Sequence, residues 1–122
     1  MILRKWSGRI RTADREEYVA YVLETGASDY GKTPGNHGFQ LLTRDMGDGT
    51  TEVSTMSWWD SMNSIRGSAG DDPERARYYP EDDRFLVVRP EHVEHYRIEA
   101  GRVNVDAGWS RIFPDIVKPS DS

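Results

Sequence analysis

The stretch ILRKWSGRIRTADREEYVAYVLETG, residues 2–26, changes its period half-way along. From Ile2 to Arg11 it alternates, with Ile2, Arg4, Trp6, Gly8 and Ile10 pointing one way and Leu3, Lys5, Ser7, Arg9 and Arg11 the other, which is the two-residue repeat of a strand. After Thr12, a plausible N-cap, Asp14, Glu16 and Glu17 stand where the positive end of a helix favours acids. Tyr18, Tyr21, Val22 and Thr25 then recur at helical spacing as far as Gly26, a glycine suited to the position just past a helix end. The opening is therefore a strand followed by an amphipathic helix.

Outward from this unit, residues 27–36 carry Gly31, Pro34 and Gly35 and read as a loop, and His37 to Arg44 is extended again. DMGDGT, residues 45–50, is rich in residues that tolerate positive φ and predicts a hairpin turn into a third strand, Thr51 to Trp59. Asp60 or Ser61 can cap a second helix through Met62, Ile65 and Arg66 to the glycines at 67 and 70, weak in propensity and dependent on packing. In DDPERARYYPEDDRFL, residues 71–86, proline suits a first helical position and acids a first turn. The segment predicts two proline-led helix starts, with Phe85, Leu86 and Val87 on the apolar face of the second. HVEHYRIE, residues 92–99, alternates Val93, His95 and Arg97 against Glu94, Tyr96 and Ile98 as a last strand. The order β-α-β-β-α-β is the ferredoxin-like split β-α-β pattern of the α+β class: an antiparallel sheet with helices on one face and the other face needing cover.

The 122 residues suit one domain, taken as 1–99, followed by a C-terminal arm, 100–122, partly disordered, whose Trp109, Ile112, Phe113 and Ile116 would lie over the body or a partner. Twenty-one acidic against 16 basic residues, with no basic stripe, argue against a nucleic-acid partner. There is no cysteine, which removes thiolate chemistry and disulfides and suits a cytoplasmic setting. No apolar run is long enough for a membrane span. Only 36% of residues are apolar, yet four Trp, six Tyr and three Phe concentrate the buried area in a few large rings, and small domains of that kind often complete their cores by pairing.

The acids of residues 71–83 look like a carboxylate site, but two first turns account for them, and the central glycine and alternating oxygens of a Ca²⁺ loop are missing. His92 and His95 fall on opposite faces of a strand, so no two-histidine metal site is expected. His95 reads either as a hydrogen-bonded group of the sheet or as a proton carrier, and His37 opens a strand. Trp58 and Trp59 must face opposite sides, one toward the helices and one toward a partner sheet, and parity alone does not say which. Tyr78 and Tyr79 sit between the two expected helix starts, where a phenol can orient a phenolic or carbonyl ligand.

WSGRI on the first strand, EEYVAYVLETG on the first helix, DYGKTPGNHGFQLLTR, SWWDSMNSI, RARYYPEDD and VEHYRIE together resemble the antibiotic biosynthesis monooxygenase-like family, in this order and spacing over residues 1–99. The resemblance implies a dimeric α+β barrel: two ferredoxin-like subunits packed sheet to sheet as a homodimer, each with a pocket between sheet and helices. It also implies chemistry that ranges from cofactor-free oxidation of polyphenolic polyketides by O₂ to haem breakdown. Haem-degrading members use an Asn, a Trp and a His ligand. Aligned on WWDS, those positions fall near Trp6 or Ser7, Ser68 and Tyr78, and none matches, although tyrosine can itself ligate haem iron. The resulting expectation is a monooxygenase without cofactor or metal acting on an aromatic, polyketide-like molecule, or else a binding module of the same fold without chemistry. His37, His95 and Tyr78 are the candidate catalytic groups, and Trp6, Trp58, Trp59, Tyr79 and Arg4 the candidate substrate-binding groups.

Overall fold

Strand β1 runs Ile2–Arg11, with the predicted alternation, at the centre of the sheet. The computed structural model describes residues 1–25 and 32–101. One 3₁₀ turn, Thr12–Asp14, precedes helix α1, Arg15–Glu24. Thr12 is not the cap: its hydroxyl lies 2.8 Å from that of Thr51, and the Asp14 carboxylate is taken by the Arg11 guanidinium, so the helix begins a turn later without a side-chain cap. Tyr18 and Val22, four apart, are the buried face of α1.

Strands β2, Asn36–Asp45, and β3, Thr50–Trp59, form the expected hairpin. Its turn holds Gly47 and Gly49 at φ 84° and 87°, and Asp48 accepts hydrogen bonds from the amide and hydroxyl of Thr50. Helix α2, Met62–Ala69, is capped by Ser61, whose Oγ accepts from the Ser64 amide. Its apolar anchor, Ile65, is fully buried.

The segment from residue 71 departs from expectation. Pro73 begins no helix, and Pro80 leads only into a four-residue α3, Asp82–Phe85. Leu86 and Val87 are not helical: Leu86–Val88 is strand β4, and the last strand, β5, shortens to Glu94–Arg97. The β-branched pair at 87 and 88 fits a pleated edge better than a helix face.

All strands pair antiparallel in the order β2-β3-β1-β4, with β5 also on β1. The fourth strand of the ferredoxin-like pattern is thus split, with β4 opposite Arg9 and Ile10 and β5 opposite Ile2 to Lys5. Between them residues 89–93 leave the edge and pair with the loop before α3. The Ala76 amide donates to the Glu91 carbonyl, the Val93 amide donates to the Glu74 carbonyl, and Arg75 bridges His92.

The register gives each side chain its face. Arg4, Trp6 and Ile10 share the helix side with Ser57, Thr55, Thr51 and Trp59, and Phe39 lies opposite Ser57. The core there joins Ile10, Tyr18, Val22, Phe39, Val53 and Phe85, with the Phe85 ring 5.2 Å from that of Tyr18 and 5.7 Å from that of Tyr21. The opposite face carries Leu3, Leu42, Met56, Trp58, Val88 and Tyr96 among Lys5, Arg9, Arg44, Glu52 and Glu94; no helix of the described residues covers it. This is the predicted α+β, ferredoxin-like arrangement. The expected C-terminal arm beyond Gly101 and the glycine at position 26 lie outside the described residues.

Candidate functional site

A cavity opens between the helix side of the sheet, α1 and the 77–82 segment. Its floor is Arg4 and Trp6 of β1, Phe39 of β2 and Thr55 of β3. Tyr18, Val22 and Thr25 of α1 form one wall, and Arg77, Tyr78, Tyr79 and Asp82 the facing one. With its open mouth the void is about 550 Å³, of which about 80 Å³ admits the centre of a water molecule. Five aromatic rings with a few convergent polar groups are the usual make-up of a small-molecule site.

Trp6 is held by its neighbours. Its indole N–H donates to the Tyr78 hydroxyl at 3.0 Å, the two rings meet edge to face at 6.2 Å, and the Tyr78 hydroxyl donates onward to the Pro90 carbonyl. Beneath the indole stands Gly8, where a Cβ would come within 2.7 Å of the Trp6 ring and 3.0 Å of the Val88 carbonyl. The Arg89 guanidinium lies 4.3 Å from the centre of the Tyr78 ring, and that of Arg77 5.4 Å from the Tyr79 ring. Burial is the main cause raising the Tyr78 phenol above its ordinary pKa, so it stays protonated.

Arg4 is 5% exposed, and among the described residues no carboxylate pairs with it. Its guanidinium donates to the Pro73 carbonyl at 2.5 Å and the Arg75 carbonyl at 3.5 Å, and reaches His95 Nε2 at 2.9 Å. These bonds tie the cavity wall to β1. His95 stands opposite Arg4 in the sheet, and its buried Nδ1 is 3.6 Å from Glu74 Oε1, too far for a hydrogen bond. Burial first, and the Arg4 charge second, push the His95 pKa below its ordinary value, which makes it the neutral acceptor of an Arg4 N–H.

The structure therefore brings Arg4, Trp6, Tyr78 and Tyr79 to one cavity and leaves four of the other sequence-marked residues away from it. His95 lies behind Arg4. His37 is exposed and paired with Asp60 at the surface. Trp59 is fully buried on the helix side, donating to Ser57 Oγ at 2.8 Å, without lining the cavity, and Trp58 is on the open sheet face. The other cavity residues were not marked, Tyr18, Arg77 and Asp82 among them.

Asp82 corrects the view of the acids as solvated first-turn residues. It is 5% exposed, its Oδ2 accepts from the Tyr79 amide at 2.5 Å, and the Tyr18 phenol lines the same cavity close enough to act on its charge. Burial is the main cause raising its pKa and outweighs the bond from the Tyr79 amide. The exposed Asp48, with comparable bonds from Thr50, is shifted the other way. Asp82 in turn keeps the Tyr18 phenol protonated, second to burial itself.

Haem fits these residues poorly. No histidine among the described residues lines the cavity, and Tyr78, at the aligned ligand position, has its hydroxyl engaged on two sides and is held in the neutral form, whereas iron takes a phenolate.

No protein-family model matches the chain, and no curated protein matches it in sequence. Its likeness lies in solved structures. A monooxygenase of Streptomyces coelicolor in complex with nanaomycin D superposes with a TM-score of 0.54 at 15% identity, covering 84% of this chain and 91% of that one. A Bacillus cereus protein described as a candidate antibiotic biosynthesis monooxygenase gives 0.53 at 13%, over 84% and 97%. A haem degrader of Mycobacterium tuberculosis with two haems in its active site gives 0.50 at 16%, over 84% and 100%. At such identities the likeness speaks for architecture: this chain has the ferredoxin-like α+β fold of the antibiotic biosynthesis monooxygenase structures.

Proposed function

We propose that the chain binds a small hydroxylated aromatic molecule in this cavity and oxidises it with molecular oxygen, without a bound cofactor, as one subunit of a homodimer. The observation that carries the reading is the cavity lining itself: Trp6, Tyr18, Phe39, Tyr78 and Tyr79 offer flat apolar surface, and Arg4 brings a buried positive charge to the same space. Rings of this kind stack on a planar ligand, and a cation without a carboxylate partner favours a ligand that carries or develops negative charge. A phenol, once deprotonated, is electron-rich enough to pass an electron to O₂, so the protein's part is to take the proton, hold the anion and exclude water. The uncovered sheet face supports the homodimer: Leu42, Val88 and Tyr96 are 41%, 48% and 45% exposed there.

A binding module without turnover is the second reading, favoured by the position of His37 and His95 outside the cavity. An oxygen electrode separates the two. Polycyclic phenols that bind should be consumed under air with matching O₂ uptake and left intact under argon; tight binding with no O₂ uptake across such a panel would refute the oxidase reading in favour of the binder. Sedimentation of the purified protein tests the dimer, and a monomer at micromolar concentration would remove it.

A further inference from the structure

Asp82 is the only carboxylate that lines the cavity among the described residues, and it sits there at a cost. A buried carboxylate loses its hydration and is favoured only where hydrogen bonds or a function retain it. As a turn cap it would serve as well on the surface, as Asp48 does at the hairpin. Instead it is 5% exposed between Tyr18, itself 2% exposed, and the Tyr78–Tyr79 wall, with Phe85 three residues on drawing the same face of α3 inward. The Tyr79 amide orients it, which leaves further lone pairs of the carboxylate for a group in the cavity.

We propose that Asp82, oriented by the Tyr79 amide and facing the cavity beside Tyr18, is the proton acceptor of this cavity and takes the proton from an acidic hydroxyl of an aromatic ligand, while Arg4 stabilises the aryl oxide left behind. The inference rests on the small-aromatic reading above and names its base. In the step the ligand O–H bond breaks, the proton forms an O–H bond on the Asp82 carboxylate, and the electron pair stays on the ligand oxygen; no oxidant takes part. Burial, which lifts the Asp82 pKa toward those of acidic phenols, makes the carboxylate a better base than an exposed one. The histidines are worse placed. His37 is bound to Asp60 at the surface, and the inner nitrogen of His95 already accepts from Arg4. A carboxylate among aromatic rings is also the chemistry that recognises an organic cation, but Arg4 and Arg77 line the same cavity and would repel one.

The test uses juglone, a hydroxynaphthoquinone whose phenol and phenolate differ in colour; the chain has no cysteine to react with it. Bound to the wild-type protein, the dye should show its phenolate spectrum at a pH where the free dye is neutral, its acid dissociation constant raised about tenfold or more. Calorimetry in buffers of different ionisation enthalpy should detect no proton released, because Asp82 keeps it. Asp82→Asn preserves an acceptor for the Tyr79 amide and should return the bound dye to its neutral spectrum, whereas Asp83→Asn, an exposed neighbour, should behave as wild type. If Asp82→Asn fails to fold, the wild-type proton count decides. A neutral bound dye, or a phenolate accompanied by one proton released to buffer, overturns the role of Asp82 and leaves the binding reading standing. Failure of juglone and a panel of related phenols to bind overturns both.

Discussion

Replacing Tyr78 by Phe removes a single oxygen from the cavity wall, and the structure says what that oxygen does. It accepts the Trp6 indole N–H at 3.0 Å and donates to the Pro90 carbonyl. The ring, its edge contact with Trp6 and the overlying Arg89 remain in the variant. A net hydrogen bond is worth about 1 kcal/mol, and a donor left without a partner costs about 1–3 kcal/mol when buried. Trp6 and Tyr78 are only half-buried, so water can relieve part of the loss, and the expected destabilisation is about 2 kcal/mol. For a chain of this size that lowers Tm by roughly 6–12 °C. Thermal unfolding followed by circular dichroism measures the loss, and a double-mutant cycle with Trp6→Phe isolates the indole–phenol bond, with an expected coupling of about 1 kcal/mol. A Tm within about 1 °C of wild type, or a coupling indistinguishable from zero, would refute the idea that this bond fastens the wall to the sheet.

Gly8→Ala should push the Trp6 ring aside, since a Cβ would stand 2.7 Å from it, and cost about 1–3 kcal/mol; denaturant unfolding and a shifted tryptophan emission would report it. Phe85→Ala should lose about 3–5 kcal/mol by emptying the contact among Tyr18, Tyr21 and α3, measured in the same way. His95 gives a pH dependence. Its folded pKa lies below the ordinary 6.5, so in the window between the two values the unfolded chain holds a proton that the folded chain does not. Its contribution is therefore complete above 6.5 and lost as pH falls through that window. Urea midpoints taken across this range should fall with acidification and do so less in His95→Gln, which keeps an acceptor for Arg4; parallel curves for the two proteins would contradict this account.

The first strand, the hairpin and the Ser61-capped helix were legible because each rests on a local rule: alternation, glycines at positive φ, and a serine oxygen facing an orphan amide. The resemblance pointed to the same fold, and the face shared by Arg4 and Trp6 followed from parity alone. Residues 71–88 were misread because prolines and acids describe helix starts only when chain is available to continue them. Here Pro73 meets a segment already committed by its backbone to residues 91–93, and Leu86 and Val88 pair with β1. Asp82 was missed for a related reason. A charge count treats Asp82 and Asp83 alike, yet Asp82 shares a face with Phe85, three residues on, and is carried inward with it while Asp83 pairs with Arg89 outside. That spacing was readable. Which of Trp58 and Trp59 turns toward the helices depends on the pairing of β3 with β1, a long-range fact that no window of sequence contains.

The split in the fourth strand has one more consequence. The wall that carries residues 77 and 79 is fastened through main-chain atoms: the carbonyls of Pro73 and Arg75 to Arg4, the Ala76 amide to Glu91, the Glu74 carbonyl to Val93, and the carbonyl of Pro90 to Tyr78. Arg77, a tooth of this jaw, adds a tie of its own, its guanidinium donating to the Ser68 carbonyl of α2 at 2.7 Å. A lineage or an engineer that recuts this tooth therefore also loosens the jaw from α2.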